Sequence, residues 1–339
     1  MCASTGLNTF LQASICNLVA DSLTAWTARV VPTSQPEDLH ILSTLTSLTC
    51  LKFHDKPELL LEQTFSELGS LHQLHTLALT HTANFHLKTE HFCNLRSLEL
   101  DATPDAYIDL SSCWQLTSLK LLGLDEENEH VTLPSGKHVA LRLLEIQGTS
   151  KLLQTEDLVL LNLSHATNLG YLQIEGAKVS NFYDSGCPGS LPNLSKLVVG
   201  GMTSDLPIEW LTYSKLHELD LSGITTSLPD WFPGMTQLKV LNLHAGQCGF
   251  PECLWNMTQL YMLNVSEMQP QVSLTDEVIR LLHWPFLTCF QYTLDEQFAG
   301  CADAVATQNH LKLLYNAFKE RDRKFPVIVN GLPDLKIFD

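Results

Sequence analysis

The sequence predicts an α/β solenoid in which short parallel strands stack, one repeat upon the next, into a single sheet. Three observations predict it. A hexamer with the spacing L-x-x-L-x-L recurs along the chain, its copies follow one another at steps of 21 to 28 residues, and late copies are joined by a second repeated pattern. A unit of this size cannot bury its apolar residues alone, whereas stacked neighbours bury them in one continuous core.

The hexamers begin at eleven leucines along the chain. They are Leu48, Leu74, Leu95, Leu116, Leu141, Leu169, Leu194, Leu216, Leu238, Leu260 and, in a looser copy, Leu287. The last two apolar positions of each hexamer alternate with a variable residue, which is the period of a strand. We therefore expect the apolar positions to face the core and the variable residues to point out of the sheet.

After each strand the chain has to turn and return along the outside of the stack. Between residues 194 and 265 these return legs are regular, because LPIEWL, LPDWFP and FPECLW occur 22 residues apart. Proline fixes its own backbone angle, so we expect Pro207, Pro229 and Pro251 to set the turns. The residues that these legs turn towards the core are then Trp210, Phe232 and Leu254.

This pattern resembles the leucine-rich repeat family, whose unit is about 20–29 residues long. The resemblance covers nearly the whole chain. It implies a curved horseshoe with a parallel β-sheet on its concave face and short helices, 3-10 turns and irregular legs on its convex face. The asparagine that the family often places three residues after the last leucine is missing from every copy. The uneven steps and Leu-Pro turns are similar to the intracellular arrays of F-box adaptors, nucleotide-binding immune receptors and axonemal proteins.

We expect three segments along the chain. Residues 1–22 form an N-terminal helix that closes the solenoid, 23–295 hold about eleven to twelve repeats, and 296–339 hold an amphipathic helix and a last degenerate repeat. An export signal is the alternative for the N-terminus, but its basic start is missing, since the first basic residue is Arg29. The C-terminal helix covers 309–325. Its inward residues are Leu311, Leu314, Tyr315 and Phe318.

The amino-acid composition indicates which class of partner and which cellular compartment to expect. With 20 Lys and Arg against 37 Asp and Glu, the net charge is −17, so the chain lacks the basic footprint of a nucleic-acid or anionic-membrane binder. No segment has the apolar length of a membrane span. The 10 cysteines are scattered rather than paired at the chain ends. We therefore expect reduced, buried thiols and a cytoplasmic protein, with the cytoskeleton or axoneme as the alternative.

Motifs for catalysis, cofactors or metals are missing from the sequence. It contains no P-loop, dinucleotide fingerprint, serine-hydrolase elbow or zinc-protease helix, so we expect neither enzyme activity nor a cofactor. Cys248 and Cys253 lack a second ligand pair at zinc spacing, which favours buried thiols on a leg whose Phe250 faces the core. Five histidines read as surface residues, because the repeat places them on different sides. They are His72, His75, His81, His86 and His91.

The variable strand residues form the candidate binding surface. Acidic residues cross the middle repeats, and a neutral, amide-rich set lies towards the C-terminal end. The residues expected to bind a partner are Glu99, Asp101, Glu145, Glu175, Glu218, Asp220, Asn242, His244 and Asn264. A docking surface for a basic protein and an ordinary solvated face of an acidic protein both fit these residues.

These observations favour a non-enzymatic scaffold that binds a protein partner through the concave face. The alternative is that the chain is the recognition portion of a larger protein, such as an F-box-type ubiquitin-ligase adaptor or a nucleotide-binding immune receptor. A hydrolase with dispersed catalytic residues is a third reading that the missing motifs disfavour. Neither the partner's identity nor the oligomeric state follows from the sequence.

Overall fold

The computed structural model of the chain is a stack of short strands that run parallel, with the chain returning between them on the outside. The structure describes residues 25–29, 46–54, 71–79, 86–88, 92–101, 107–124, 131–134, 139–148, 163, 165–175, 191–202, 205–268, 280–281, 283–294, 309, 312–314, 316–317, 319–320 and 328–329. The chain divides into two compact units, Met1–Pro192 and Asn193–Asp339. We call each repeat a rung.

The first unit contains ten described strands. In chain order they are β1 (Ala25–Arg29), β2 (Cys50–His54), β3 (Thr76–Leu79), β4 (His86–Lys88), β5 (Ser97–Asp101), β6 (Tyr107–Asp109), β7 (Ser118–Leu124), β8 (Val131–Thr132), β9 (Leu143–Gly148) and β10 (Tyr171–Glu175). The main sheet has the order β1-β2-β3-β5-β7-β9-β10, and every one of these neighbouring pairs is parallel. The predicted parallel sheet is therefore confirmed within this unit.

The return legs of the first unit differ from the irregular form that the resemblance implied. Strands β4, β6 and β8 lie on three consecutive legs and pair in parallel to form a second, smaller sheet. Ile108 in β6 is fully buried while the next residue, Asp109, is only half-buried, as expected for an extended leg with one face inward. The legs that contain β4 and β6 lack the Leu-Pro pair found on the later legs, whereas on the third leg Leu133-Pro134 follows directly after β8.

The core is built from the apolar positions of the hexamers. All eleven leucines that begin a hexamer are 1% exposed or less, which confirms the burial predicted from their spacing. Full burial of a leucine side chain contributes about 1.5–3 kcal/mol to stability. The sum over many rungs offsets the conformational entropy that each short strand loses on folding.

The second unit continues the same architecture with shorter strands. They are β11 (Lys196–Val199), β12 (Glu218–Asp220), β13 (Val240–Asn242), β14 (Met262–Asn264), β15 (Cys289–Gln291), β16 (Thr293–Leu294) and β17 (Ile328–Val329). Strands β11 to β15 are parallel neighbours in chain order, and β16 pairs separately with β17. Three 3-10 helices lie on the return legs: η1 (Ile208–Thr212), η2 (Phe232–Gly234) and η3 (Glu252–Asn256).

The Leu-Pro legs of the second unit fold as predicted. Trp210, Phe232 and Leu254 are each 0% exposed. Their backbone N–H groups donate to the carbonyl oxygens of the prolines three residues earlier, at 3.1, 2.9 and 3.1 Å respectively. Phe250 was predicted to be core, but it is only half-buried and packs its ring against Trp255 at 4.7 Å between centroids. The leg begins at this position, so the ring reaches the outer side of the stack.

A left-handed residue follows each of the strands β11 to β14, at 22-residue steps. Gly201 and Gly223 have φ angles of 69° and 73°, and the corresponding residues of the next rungs, Ala245 and Glu267, have φ angles of 54° and 58°. The N–H of Ala245 donates to the carbonyl of Ser266 at 2.9 Å, as the N–H groups of both glycines do to the rung that follows them. This ladder holds Ala245 in a conformation that favours glycine.

Several predicted features fall near the chain ends. The predicted N-terminal helix at 1–22 and the degenerate repeat at 332–337 lie outside the described residues, and the three domain bounds stay predictions. Residues 309, 312–314, 316–317 and 319–320 are helical, with Leu314 fully buried and Leu313 54% exposed. The other predicted inward side chains of this helix lie outside the described residues. Within the described parts of the chain, we find no helix with the length and apolarity needed to cross a bilayer.

We predict that Ala245→Gly stabilises the protein. The substitution removes the strain of a left-handed alanine, and the greater flexibility of glycine in the unfolded chain offsets part of the gain, so we expect a net increase of about 0.5–1 kcal/mol in the free energy of unfolding. Urea unfolding followed by circular dichroism measures it.

The matched control is Gly223→Ala in the preceding turn. A Cβ at Gly223 would meet only Gly201 atoms at 3.5 Å, an ordinary contact, so the loss should reflect backbone strain alone. We expect a decrease of about 1–2 kcal/mol. Equal effects of the same sign from the two substitutions would contradict the strain explanation.

Candidate functional site

The outward residues of neighbouring strands stand directly beside one another. In the first unit Glu99 pairs in register with Lys120, and Lys120 pairs with Glu145. In the second unit Asp220, Asn242 and Asn264 form the corresponding column. The register confirms the central column that the hexamer alignment predicted within each unit.

The acidic stripe of the first unit comprises Glu99, Asp101, Glu145 and Glu175, all half-buried on the outward side of the sheet. Lys120 lies within this stripe and forms an ion pair with Glu145, with 2.6 Å between Nζ and Oε2. The hydrogen bond to Glu145 raises the pKa of Lys120, and the charges of Glu145 and Glu99 add to the effect. One of the four carboxylates is thus matched by a cation, which lowers the charge that the stripe presents.

Glu175 is oriented by its own strand. The side-chain amide of Gln173 donates to the Glu175 carboxylate at 2.8 Å, and the Tyr171 hydroxyl donates to the Gln173 carbonyl oxygen. Alternate residues of a strand share one face, which brings these three side chains into line. The carboxylate at the end of β10 is therefore held in place rather than free to rotate.

Glu218, at the start of β12, forms an exposed ion pair that is weaker than the pair between Lys120 and Glu145. Its carboxylate lies 3.2 Å from the Lys196 ammonium of the neighbouring strand, and both side chains are more than two-fifths exposed. An exposed pair of this kind contributes little, about 0–1 kcal/mol, and is screened by salt. The pair leaves both charges available to solvent or to a partner.

The remaining predicted site residues of the second unit bond to their own strand ends. A side-chain oxygen of Asp220, Asn242 and Asn264 accepts the backbone N–H of the residue two positions later, at 2.9, 3.1 and 3.0 Å. Asx side chains commonly form such bonds. The sequence signal was the recurrence of Asx, an apolar residue and Ser or His at 22-residue steps, which sequence reasoning did not interpret.

The same side chains also connect one rung to the next. Asn242 donates from Nδ2 to the carboxylate of Asp220 at 2.7 Å and to the hydroxyl of Ser222 at 3.0 Å. Part of the binding capacity predicted for Asp220 and Asn242 is thus used within the sheet. Replacing either residue would disturb the strand ends as well as any binding surface.

A serine, a histidine and a carboxylate meet at the end of β14. His244 Nδ1 lies 3.0 Å from Ser266 Oγ, and His244 Nε2 lies 3.7 Å from Glu267. The Ser266 hydroxyl donates to Asn264 at 2.6 Å, so its proton is not directed at the histidine, as general-base activation requires. Ser266 is also only 7% exposed and Asn264 only 9%. The geometry is that of a structural hydrogen-bond network.

Apolar side chains fill the asparagine position of the family on three rungs of the second unit. Met202, Ile224 and Met268 stand there and are buried. Amide side chains instead occupy the position just before the first leucine of several rungs. Asn94 donates to the carbonyl of His72 at 2.8 Å, and Gln259 donates to that of Met235 at 3.2 Å. Amide bonding between rungs is therefore present at a different place from the one that the resemblance implied.

The cysteine pair lies on the third Leu-Pro leg. Cys248 and Cys253 are free and half-buried. Burial raises the pKa of both thiols, and the nearby charge of Asp230 adds to the rise for Cys253, whose pKa reaches about 11. Protonated thiols are poor metal ligands and poor nucleophiles. Burial of the other cysteines is mixed, because Cys113 is buried whereas Cys93 is exposed.

The five histidines predicted to lie on the surface differ in exposure and position. His72 is exposed, His75 is half-buried, and His86 lies in β4, while His81 and His91 fall outside the described residues. No group of three or more His, Cys, Asp or Glu side chains suited to a metal ion occurs in the part of the chain that the structure describes.

We predict that Cys253 reacts slowly with iodoacetamide at neutral pH. Its pKa of about 11 keeps the thiol protonated, so the alkylation rate of the folded protein should rise with pH until about pH 11. In urea the same thiol should reach its plateau near its ordinary pKa, about 8.5. Mass spectrometry of the peptide containing Cys253 measures both rates, and identical pH profiles with and without urea would contradict the prediction.

Comparison with known proteins gives likeness in structure rather than in sequence. No protein-family model matches the chain, and no curated protein matches it. The mouse RP105/MD-1 complex is similar with a TM-score of 0.54 and 20% identity, over 78% of this chain and 45% of that chain. This chain therefore spans less than half of that structure.

Two further structures are similar at lower scores. An internalin (InlF) from Listeria monocytogenes aligns over 84% of this chain and 86% of that chain, with a TM-score of 0.49 and 18% identity. The APL1 leucine-rich repeat domain aligns over 88% and 72%, with a TM-score of 0.47 and 14% identity. The parallel rungs, their buried leucines and the likeness to the mouse structure show that this chain has the leucine-rich repeat fold.

Proposed function

We propose that this protein is a non-enzymatic interaction scaffold that binds a basic protein partner on the outward face of its sheet, which the resemblance predicts to be concave. The single observation that supports it most is the acidic stripe of the first unit. Its four carboxylates project from strands β5, β9 and β10 on a face that the core does not use, and Lys120 of β7 is the one cation paired among them. Aligned charges of one sign steer and select a partner of the opposite sign.

The fold supports a binding role by analogy. The mouse protein of similar fold was crystallised as a complex with MD-1, and stacked rungs offer an extended surface on which many side chains can contact one partner. The alternative, a recognition portion of a larger protein, uses the same surface and differs only in what is attached to it. The net charge of −17 supports a protein rather than a nucleic-acid partner. A cytoplasmic location remains our prediction.

We predict that reversing the charge of Glu99, Asp101 and Glu175 weakens partner binding without unfolding the protein. Glu145 and Asp220 are left unchanged because their carboxylates bond to side chains of neighbouring strands, whereas the bond from Gln173 to Glu175 lies within one strand. Captured partners from native lysate would be identified by mass spectrometry, and their dissociation constants measured with wild type and with the triple lysine variant. We expect a loss of at least about tenfold, since three reversed contacts each cost a few tenths to about 1 kcal/mol.

A matched control carries the same change of charge on the return legs. Glu209, Asp230 and Glu252 are exposed there and would also be changed to lysine. Retained binding in this control, with loss in the stripe variant, supports the proposal. Equal binding by both variants, equal loss from both, or capture of no protein would each contradict it.

We predict that Lys120→Gln strengthens binding of the same basic partner. Lys120 pairs with Glu145 and reduces the negative charge of the stripe, so removing the ammonium should raise affinity about twofold to fivefold at low salt. The gain should disappear at high ionic strength, where exposed charges are screened. A weaker complex would show that the partner contacts Lys120 itself or is not basic. Isothermal calorimetry at two salt concentrations distinguishes these results.

A further inference from the structure

The positions on either side of each first leucine form a second outward surface in the second unit, which we call the strand-start edge. Its residues are Asn193, Ser195, Lys215, His217, Gln237, Lys239, Gln259, Tyr261, Phe286 and Thr288. None of them is acidic, although the chain holds 37 Asp and Glu against 20 Lys and Arg. This edge therefore differs in charge from the protein as a whole.

The carboxylates of the same rungs lie elsewhere. They occupy the strands and the turns after them, or the return legs. Among the described residues, the first group is Glu218, Asp220 and Glu267, and the second is Asp205, Glu209, Asp230 and Glu252. Lys215 and Lys239 therefore lie at the start of their rungs, before the carboxylates, while Lys196 within β11 forms an exposed ion pair with Glu218.

Two large aromatic side chains stand on the same edge. Tyr261 is 54% exposed and Phe286 is 55% exposed. The ammonium of Lys239 lies 5.6 Å from the centre of the Phe286 ring, a cation–π distance. Val240 and Met262 pair in register beside them and are half-buried. Aromatic residues ringed by polar groups are typical of the central contacts of protein interfaces.

We propose that this edge binds an acidic segment of a partner protein that also carries a large apolar side chain. Carboxylates of the segment contact Lys215, His217 and Lys239, and the apolar side chain packs on Tyr261 and Phe286. The inference goes beyond the function proposed above, because it concerns a different surface and a partner segment of opposite charge. It does not depend on the acidic stripe.

The spacing of the rungs sets the length of the segment. Lys215 precedes β12 and Phe286 precedes β15, so three strand spacings of about 4.8 Å, or about 14 Å in all, separate their rungs. About five residues of extended chain cover this distance. The carboxylates therefore precede or follow the apolar residue by about two to four positions in the partner's sequence.

Single-stranded nucleic acid is the rival occupant, since it also binds cations interleaved with aromatic rings. Two features favour a peptide. The net charge of −17 repels a polyanion at long range, whereas a short segment with a few carboxylates feels mainly the local cations. In addition, Glu218 is adjacent to His217 in the sequence. Its carboxylate would repel the phosphates of a nucleic-acid strand that runs past this position.

The test uses the full chain and a fluorescein-labelled peptide in which a run of glutamates is followed by phenylalanine and leucine. Fluorescence anisotropy would measure its binding to wild type and to the double variant Lys215→Glu with Lys239→Glu. Lys215 is exposed and Lys239 is half-buried outside the leucine core, so the variant should remain folded, which circular dichroism would check. We expect affinity to fall about tenfold or more, since two cationic contacts become repulsive.

Tyr261→Ala with Phe286→Ala should weaken binding comparably, since exposed aromatic anchors carry much of such an interface.

The matched control reverses two lysines on the terminal helix, Lys312→Glu with Lys319→Glu, which changes the net charge equally. Its binding should equal that of wild type, and a peptide with lysines in place of glutamates should not bind. The proposal is overturned if wild type does not bind the acidic peptide, if the control loses affinity as much as the edge variant, or if a single-stranded oligonucleotide binds and the peptide does not. None of these outcomes bears on the acidic stripe, whose residues are unchanged.

Discussion

The constraint on which this structure depends is that no rung can bury its leucines alone. Each leucine must face the leucine of the next rung, so the register between strands is fixed at the hexamer. Fixed register also aligns every outward residue with its equivalent, about 4.8 Å away. Like charges in one column would then repel, and Lys120 between Glu99 and Glu145 relieves that repulsion in the first unit.

In the second unit, amide side chains in the column, rather than alternating charges, avoid repulsion between aligned residues. Asp220, Asn242 and Asn264 follow one another, and the amide of Asn242 donates to the Asp220 carboxylate. Each of the three also accepts an N–H from its own strand end. Unpaired polar groups at a half-buried position cost more than the bonds gain, so these networks hold the turns in place. The amide-rich part of the column therefore stabilises the strand ends, and the partner binding that we propose is assigned to the acidic stripe.

Much of this architecture was predictable, because apolar spacing fixes which side of a strand faces inward. Leucine burial, the central columns and the inward Trp210, Phe232 and Leu254 all follow from that one rule. Hydrogen bonds on the outward side do not, since periodicity leaves the rotamers of Asn242 or Gln173 undetermined. The left-handed conformation of Ala245 was also not predictable from the sequence, because its φ is imposed by neighbouring rungs and not by the preference of alanine. The burial of Phe250 was predicted wrongly, since an apolar residue at a bend can turn towards the core or away from it.

Net charge is a poor guide to what each part of such a surface can bind. A strand of three to five residues is about 10–17 Å long, which exceeds the Debye length of about 8 Å at physiological ionic strength. Charges at the two ends of a rung are therefore screened from each other. Lys215 and Lys239 can attract carboxylates although the protein carries a charge of −17, and Glu99 and Asp101 can attract cations although Arg96 begins the same rung. A stacked array can in this way present surfaces of opposite sign on one fold, because each is set by which outward column its residues occupy.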